Sequence, residues 1–498
     1  MYNYKKSFKK NSINMGDKKM DDALNTYIKN QVSTQPIHLN DNISYKGKKF
    51  NHRSDFKDIT QFIEEFLKGN NINRYLILPG LRDVGKSTIL FQVYDYLLKE
   101  KNINPKNILY ISAESLKAMF NTTIFESIDS YLNIFHNATF ESLNENVFIL
   151  IDEAQYDKDW SLTGKIIFDS SKKIFMIFTG SSALELEYNA DSARRLLKIP
   201  INPLNYSQHL KLKYNFTINK ASQIIQDLIF KGEVKDAIKL EQRIIKSIPT
   251  IGNYDLKEWD RYLQFGGFPS SFYQNNNISS KKLIDTINRV ITVDMANLGN
   301  ISQDTQNNTF RLLYFLALQK PGEISHGAIA EHLECHTNSV KNILDILEKT
   351  HLLFHVEPYS SSPKRRTKPF KYFFATPSLK HALSLNLGIA SSEKKAYKGG
   401  LLENLVASSF YNLKNRSMTL FNIYYDSRKK KNVDFLVQRG FDKPIPIEVS
   451  IGKKSNNQIK SAIYKYNSDY GVIISNTEDN ICRDDNIIHI SPKMFSLL

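Results

Sequence analysis

An eight-residue glycine-rich segment, Gly80-Leu-Arg-Asp-Val-Gly-Lys-Ser87, constrains the fold of this chain more than any other part of its sequence. It follows the apolar run 75–78 and precedes a helix-like run, 88–98. A strand, a glycine loop and a helix in this order are typical of a phosphate-binding loop. Glycines let backbone N–H groups surround an anion, and the positive N-terminus of the helix faces the same anion. A chance match in an ordinary turn is the alternative, which both flanking runs disfavour.

The loop predicts which groups would bind a nucleotide. Lys86 would reach the β- and γ-phosphates, and the hydroxyl of Ser87 would coordinate Mg²⁺. The residues that the pattern predicts to bind the phosphates are Gly80, Leu81, Arg82, Asp83, Val84, Gly85, Lys86, Ser87 and Thr88.

Further apolar runs predict the sheet that carries this loop. Residues 107–112, 147–151 and 173–178 are strand candidates, and helical patterns such as 123–132 lie between them. Continuous apolar strands are expected in a parallel sheet that is buried on both faces. The alternation of strands and helices therefore predicts a doubly wound α/β core.

Two carboxylates follow the run 147–151. Ligands of open α/β sheets bind at the carboxyl ends of the strands, where Asp152 and Glu153 would lie. Asp152 is expected to hold Mg²⁺, mostly through water, and Glu153 to orient and activate the attacking water. An acidic pair is a weak signal alone, but it is strong about 70 residues after a phosphate-binding loop.

Two other segments are candidates for contact with the phosphates. Thr179 ends the next strand and could sense the γ-phosphate or water, although Thr179-Gly-Ser-Ser182 could instead cap a helix. Arg194 or Arg195 could stabilise transition-state charge in its own site or in that of a neighbouring subunit of a homo-oligomer. An exposed structural arginine pair is an equal alternative.

The amino-acid composition limits the fold class and the cellular compartment that we expect for this protein. With 41% hydrophobic and 24% charged residues the chain is globular, and no apolar run reaches the roughly 18 residues of a membrane span. Its 2 cysteines suit a reducing cytoplasm.

The net charge is +16, and residues 351–450 carry 17 Lys and Arg against 7 Asp and Glu. This bias predicts an anionic partner such as DNA, and a solvated basic surface is the alternative.

A helix-turn-helix pattern precedes a basic hairpin. Two short amphipathic helices are predicted at 328–333 and 339–348, and strands at 354–359 and 370–374 flank a loop containing Lys364-Arg-Arg366. This is the winged-helix pattern, which serves DNA binding or only spaces other domains. The histidines and the cysteine of this region match no zinc-binding spacing.

Three spaced carboxylates mark the C-terminal region. Glu403 lies near the start of a predicted helix, and Asp434 and Glu448 lie on the adjacent predicted strands 432–437 and 445–450. If they meet, they would bind Mg²⁺ and polarise a phosphodiester.

Together these motifs resemble prokaryotic P-loop ATPases of the AAA+ type with a C-terminal DUF4143 region. The landmarks that carry the resemblance are Gly80–Ser87, Ile151-Asp-Glu-Ala-Gln155 with Trp160, Thr179-Gly-Ser-Ser182, Pro203-Leu204 and Gly266-Gly-Phe-Pro269. The resemblance implies binding of ATP and Mg²⁺, a winged-helix middle domain and a C-terminal domain similar to PD-(D/E)XK nucleases.

The expected domains follow from the resemblance and the composition. Residues 1–50 would be a basic, partly disordered arm, 51–205 the AAA+-like P-loop core, 206–300 a helical lid, 301–385 the winged-helix domain and 386–498 the nuclease-like domain.

One departure from the family pattern bears on function. The nuclease pattern has Glu-x-Lys on its last strand, whereas this chain has Glu448-Val-Ser450, and only Lys453 or Lys454 could substitute. We therefore expect an ATP-hydrolysing motor or switch that acts with DNA. An ATP-regulated, metal-dependent nuclease and a nucleotide-switched module that binds another protein are the alternatives.

Overall fold

The computed structural model describes most of the chain. The described residues are 15–181, 194–298, 301–319, 322–361, 365, 368–388, 395–416, 420–428, 430–452, 456–476 and 480–498.

A five-stranded parallel sheet carries the P-loop. Its strands are β3 (Tyr75–Pro79), β4 (Ile108–Ser112), β5 (Val147–Asp152), β6 (Ile174–Gly180) and β7 (Leu197–Lys198), in the order β4-β5-β6-β3-β7. Leu76 packs into one apolar core and Ile77 into another, so the sheet is buried on both faces. The order places β6 between the P-loop strand and the strand that ends in Asp152. The predicted P-loop α/β core is confirmed.

Helices cover both faces of this sheet. They are α1 (Met15–Ile43), α2 (Ser54–Leu67), α3 (Lys86–Asp95), α4 (Ala113–Phe120), α5 (Ile124–His136) and α6 (Trp160–Ser170), with a two-stranded hairpin of β1 (Ser44–Tyr45) and β2 (Lys48–Lys49) after α1. Thr123 and Glu126 form a capping box, which explains where α5 begins.

The N-terminal segment departs from the sequence prediction. An arm without periodicity was wrong for residues 15–43, which form α1, whereas residues 1–14 lie outside the described part. Leu24, Ile28 and Val32 recur every fourth residue and pack into the core that α4 and α5 share. Their stripe is narrow and polar residues surround it, so the segment has little apolar periodicity over its length.

An eight-stranded mixed sheet forms the C-terminal part. Its strands are β8 (Leu353–Pro358), β9 (Lys371–Phe374), β10 (Phe421–Tyr425), β11 (Phe435–Arg439), β12 (Ile445–Ser450), β13 (Gly471–Ser475), β14 (Cys482–Asp484) and β15 (Ile487–Ile490). The order is β14-β15-β13-β12-β11-β10-β8-β9. The hairpin β8–β9, which we predicted as part of a separate domain, joins this sheet because β8 pairs in parallel with β10.

The remaining helices connect the two sheets. They are α7 (Tyr206–Tyr214), α8 (Ala221–Lys231), α9 (Val234–Ser247), α10 (Glu258–Phe265), α11 (Asn276–Arg289), α12 (Met295–Leu298), α13 (Gln303–Leu318), α14 (His326–Leu333), α15 (Thr337–Lys349), α16 (Pro377–Asn386), α17 (Lys395–Arg416), α18 (Asn457–Tyr466) and α19 (Pro492–Phe495). A π-helical turn, Val290–Asp294, continues α11. Within the described residues no helix is long and apolar enough to cross a membrane.

The segment 206–300, expected as one lid, contributes to two different cores. Apolar residues of α7 to α10 pack with the eight-stranded sheet, and Tyr470 of that part donates a hydrogen bond to the carbonyl of Ile229 at 2.8 Å. Leu283 and Ile287 of α11 pack instead with the P-loop core. Helices from one predicted domain therefore contact both sheets.

A buried ionic cluster joins α2, the P-loop and α17. Arg53 donates to the carbonyl oxygens of Val84 and Asn202, each at 2.8 Å, and to Asp55 at 3.0 Å. Arg416, the last residue of α17, donates to the other carboxylate oxygen of Asp55. Burial opposes ionisation of Asp55, but Arg416 and Arg53 outweigh it and hold its pKa below the usual value. Asp55 is thus ionised between two arginines.

Replacement of Asp55 tests this cluster. Asp55→Ala leaves Arg53 buried without its carboxylate, and we expect a loss of about 3 kcal/mol in the free energy of unfolding. Urea unfolding near neutral pH measures it, and Asp58→Ala, an exposed carboxylate of the same helix, is the matched control with a change within about 0.5 kcal/mol.

The pH dependence of that loss provides a second check. Because the folded-state pKa of Asp55 is depressed, its stabilisation is complete above the unfolded pKa and is lost as pH falls through the folded pKa. The difference between wild type and Asp55→Ala should therefore shrink below about pH 4. A difference that is absent at neutral pH, or that grows on acidification, contradicts the assignment.

Candidate functional site

The P-loop has the conformation that an anion site requires. Gly85 has φ = 99° in the left-handed region and begins α3, so its backbone favours glycine. A Cβ on Gly80 would lie 2.2 Å from the carbonyl oxygen of Ile201, a distance that no side chain tolerates. Steric constraints therefore explain why both positions of the motif are glycine.

Lys86 is buried at the start of α3 and folds back over the loop. Its Nζ donates hydrogen bonds to the carbonyl oxygens of Gly80 at 2.9 Å and Leu81 at 3.0 Å. These contacts hold the ammonium group inside the curve of the P-loop. The prediction that Lys86 binds the β- and γ-phosphates stays a prediction.

Three polar side chains meet where β5 and β6 end. Thr179 Oγ1 donates to Asp152 Oδ1, and Tyr110 donates to Asp152 Oδ2 at 3.2 Å. The hydroxyl of Ser87 lies near enough to lower the pKa of this carboxylate. The structure therefore brings together Ser87, Asp152 and Thr179, which lie far apart in sequence.

The surroundings of Asp152 act on its pKa in opposite directions. Burial and the adjacent Glu153 raise this pKa, and the hydrogen bond from Thr179, the nearby hydroxyl of Ser87 and the charge of Lys86 oppose that rise. The hydroxyl of Ser87 and the carboxylate of Asp152 are oxygen donors of the kind that Mg²⁺ prefers, so the residues present fit this ion.

Glu153 lies at a strained position beside this pair. Its φ of 53° is in the left-handed region, which is unusual for a residue other than glycine. Gln155 donates from Nε2 to a carboxylate oxygen of Glu153, while its Oε1 accepts from the backbone of Ser181 at 3.3 Å. Gln155, which we did not predict as a site residue, orients the predicted water-activating carboxylate.

A cavity of about 510 Å³ opens beside these groups. Lys86, Ser87, Asp152 and Glu153 line one part of it. The other part is lined by side chains from the N-terminal segment, α7 and the turn after α10, namely Phe50, Asn51, Leu212, Pro269, Phe272 and Tyr273. A polar end next to an aromatic end suits a ligand with an anionic and a ring-shaped part.

Contacts from α11 to the P-loop were absent from the sequence prediction. Arg82 makes a two-bond ion pair with Asp294, at 2.9 and 2.8 Å, and Thr286 donates to Asp83 at 2.5 Å. Burial disfavours the charge on Arg82, but Asp294 and Glu153 outweigh it and raise its pKa. Arg289 of α11 also lines the cavity. More than 200 residues separate Arg82 from Asp294, so no local pattern indicates the pair.

The predicted arginines lie elsewhere. Neither Arg194 nor Arg195 lines the cavity, Arg194 is exposed, and Arg195 pairs with Asp169 at 2.6 Å. Ser182 lies outside the described residues.

The three C-terminal carboxylates do not form the predicted metal site. The antiparallel register that pairs Phe435 with Ile447 sets Asp434 opposite Glu448. However, Asp434 accepts from the backbone N–H of Val449 at 2.7 Å, and Glu403 contacts Lys371 at 3.5 Å. Across the described ranges no group of three or more His, Cys, Asp or Glu could hold a metal ion. Asp434 is thus engaged by a backbone amide, and Glu403 by a lysine of β9.

Ser450 contributes no cation to this region. Its hydroxyl donates to the carbonyl oxygen of Gly452, and Lys453 and Lys454, the proposed substitutes, lie outside the described residues.

The basic hairpin loop packs on the C-terminal sheet. Arg365 lies over the ring of Tyr424, 4.7 Å from its centroid, and donates to its hydroxyl at 3.0 Å. Lys368 donates to Ser427 at 3.0 Å, while Lys364 and Arg366 lie outside the described part. The described cations of the loop are therefore engaged within the protein.

Comparisons with known proteins agree with this architecture. Residues 72–210 match a family described as an AAA domain, 256–393 match domain of unknown function DUF8612, and 398–493 match DUF4143. The uncharacterized protein MJ1637 of Methanocaldococcus jannaschii is 30% identical over 475 residues, 95% of this chain and 94% of that protein.

The chain belongs to the family of MJ1637. As the resemblance implied, it has an AAA-type ATPase domain followed by a DUF4143 domain. An uncharacterized protein of Haemophilus influenzae is 22% identical over 424 residues, 83% of this chain and 91% of that one. The structure is also similar to the Walker-type ATPase PABY2304 of Pyrococcus abyssi, with a TM-score of 0.39 and 15% identity over 66% of this chain and 95% of that chain.

The hydrogen bond from Thr179 to Asp152 predicts a pH effect in the AAA domain. Thr179→Ala removes one of the groups that lower the pKa of Asp152, so less of this carboxylate is ionised in mild acid and less is available as the Mg²⁺ ligand that the sequence predicts. We expect the Mg²⁺ concentration for half-maximal ATPase activity to rise as pH falls from about 8 to about 5.5, and to rise more steeply in Thr179→Ala.

The matched control keeps the hydroxyl. Thr179→Ser should follow the wild-type pH profile, because its hydroxyl can still donate to Asp152. Identical Mg²⁺ profiles for Thr179→Ala and wild type would show that this bond does not tune the carboxylate.

Proposed function

We propose that this protein binds ATP with Mg²⁺ and hydrolyses it at the cavity beside the P-loop. The observation that carries the proposal is the convergence of Lys86, Ser87, Asp152 and Glu153 on one cavity. Mg²⁺ bound there would neutralise part of the phosphate charge. Ser87 and Asp152 would hold it, and P-loop N–H groups and Lys86 would bind the phosphates.

Glu153 is the proposed general base of this reaction. It would accept a proton from the attacking water, and Gln155 would keep its carboxylate oriented. Thr179 lies between the P-loop and Asp152, a position suited to contact with the γ-phosphate or water. Arg289 lines the same cavity from α11 and is the proposed cation that faces the phosphates, in preference to Arg194 or Arg195.

We further propose that DNA is the partner on which the ATPase acts. The support is α15, which follows α14 after a three-residue turn and exposes donors and acceptors near its N-terminus, namely Thr337, Asn338, Lys341 and Asn342. Asn side chains can pair with bases in the major groove, and Lys with phosphates or guanine. The excess of basic residues over 351–450 would add non-specific attraction.

The DUF4143 domain is proposed to bind rather than cleave. Its carboxylates Asp434 and Glu403 contact a backbone amide and Lys371, and Ser450 occupies the place of the nuclease lysine. A nuclease fold without its catalytic cation can still present a surface to DNA or to a protein.

Two variants separate nucleotide binding from hydrolysis. Lys86→Ala should abolish both, because it removes the cation that meets the phosphates. Glu153→Gln should retain ATP binding and lower the turnover rate by at least about 100-fold, because an amide cannot accept the proton. Fluorescent-nucleotide binding and phosphate release measure the two steps. Wild-type turnover in purified Lys86→Ala would refute the proposed site.

A lysine pair on one helix tests the DNA proposal. Lys341→Ala should weaken binding to duplex DNA and reduce the slope of log affinity against log salt by about 1, because one phosphate contact is lost. Lys349→Ala, which removes the same charge from the far end of α15, is the matched control and should change the slope less. Fluorescence anisotropy over a salt series measures both.

Measuring the ATPase rate with and without duplex DNA then tests whether DNA binding and ATP hydrolysis are coupled. Stimulation by DNA that Lys341→Ala reduces supports the proposal. DNA retention that is absent at moderate salt, with no effect on the ATPase rate, would favour a protein partner instead.

A further inference from the structure

Asn51 lies at the aromatic end of the cavity and is held by the end of α7. Its Nδ2 donates to the carbonyl oxygens of Lys211 at 3.2 Å and Leu212 at 3.1 Å. These carbonyls belong to the last turn of α7, where no further helical N–H is present to bond them. Asn51 therefore caps that helix end through its amide nitrogen.

The amide oxygen is the group that Asn51 can offer to a ligand. A side-chain amide has two N–H donors and one carbonyl acceptor. With the amide nitrogen bonded to two carbonyl oxygens of α7, the side chain cannot rotate to exchange its nitrogen and oxygen without losing these contacts. The acceptor Oδ1 is consequently the group that Asn51 directs away from α7.

A nucleotide in this cavity would place its base at this end. The phosphates are matched by Lys86 and the N-terminus of α3, which leaves the ring system for Phe50, Phe272 and Tyr273. Phe50 and Tyr273 already contact each other, with ring centroids 5.7 Å apart. Stacking on such rings favours every base, because every base has a π-face.

We propose that Asn51 selects adenine over 6-oxopurines by accepting a hydrogen bond at Oδ1 from the 6-amino group. This inference rests on the proposed function, since it assigns the base preference of the same nucleotide site. Adenine carries a donor at position 6, whereas guanine and hypoxanthine carry an acceptor there. An oxygen that faces an oxygen leaves two acceptors unsatisfied, and sites built on a hydrogen bond discriminate strongly against a ligand that cannot make it.

Three triphosphates vary position 6. ATP has the amino group, purine riboside triphosphate lacks it without other change, and inosine triphosphate replaces it with oxygen and adds a hydrogen on N1. For the full-length protein with Mg²⁺ we expect the dissociation constants to rise in that order, with at least about a tenfold difference between ATP and inosine triphosphate. Isothermal titration calorimetry measures all three.

Two variants test whether Asn51 causes the preference for ATP over inosine triphosphate. Asn51→Leu should weaken ATP binding and leave inosine triphosphate nearly unchanged, so the ratio of their dissociation constants falls to about 1–3. Tyr273→Leu removes a stacking surface and should weaken both nucleotides by a similar factor, so the wild-type ratio is kept. Retained binding of inosine triphosphate shows that Asn51→Leu is folded.

The outcomes distinguish this inference from the proposed function. Equal affinities of the wild type for ATP and inosine triphosphate overturn the role of Asn51 and leave the nucleotide site intact. An unchanged ratio in Asn51→Leu does the same. Absence of binding of all three triphosphates, with Lys86→Ala indistinguishable from the wild type, overturns the nucleotide site and this inference together. The three titrations of the wild type test the inference even if Asn51→Leu does not fold.

Discussion

The guanidinium of Arg53 connects three parts of the chain that are far apart in sequence. It donates to the carbonyl of Val84 in the P-loop and to that of Asn202 after β7, and it pairs with Asp55, which also accepts from Arg416 at the end of α17. A buried charge that loses its partner costs several kcal/mol, so these segments are held in one arrangement. The side chains of Arg53, Asp55 and Arg416 thereby connect the DUF4143 domain to the P-loop.

The cavity beside the P-loop lies between two hydrophobic cores. Helix α11 belongs to the core of the parallel sheet and contacts the P-loop through Asp294 and Thr286. Helix α7 belongs to the core of the eight-stranded sheet and contacts the cavity through Leu212 and the carbonyls that bind Asn51. A ligand in the cavity therefore touches elements from both cores. That position suits an ATPase in which nucleotide state alters how the two parts pack.

The residues that sequence reasoning found share one property, which is their place at the end of a strand or in a contiguous loop. Asp152 and Thr179 could be expected to meet because the carboxyl ends of parallel strands lie at one edge of a sheet. No such rule predicts the ion pair between Arg82 and Asp294 or the contact between Asn51 and the end of α7. Each joins residues that are distant in sequence and that only packing brings together. The three-carboxylate site was wrong because adjacent strands set Asp434 opposite Glu448 without bringing Glu403 into a metal-binding group.

The sequence by itself determined the P-loop, its α/β sheet and the carboxylates beside it, since glycine conformations and continuous apolar strands are local properties of the backbone. Only the tertiary structure decided how the rest is joined to that site. The hairpin β8–β9 became part of the eight-stranded sheet, α1 covered the parallel sheet, and the helices after residue 205 divided between two cores. Strand pairing and helix packing between distant segments depend on matching surfaces, and a single sequence does not display which surfaces will match.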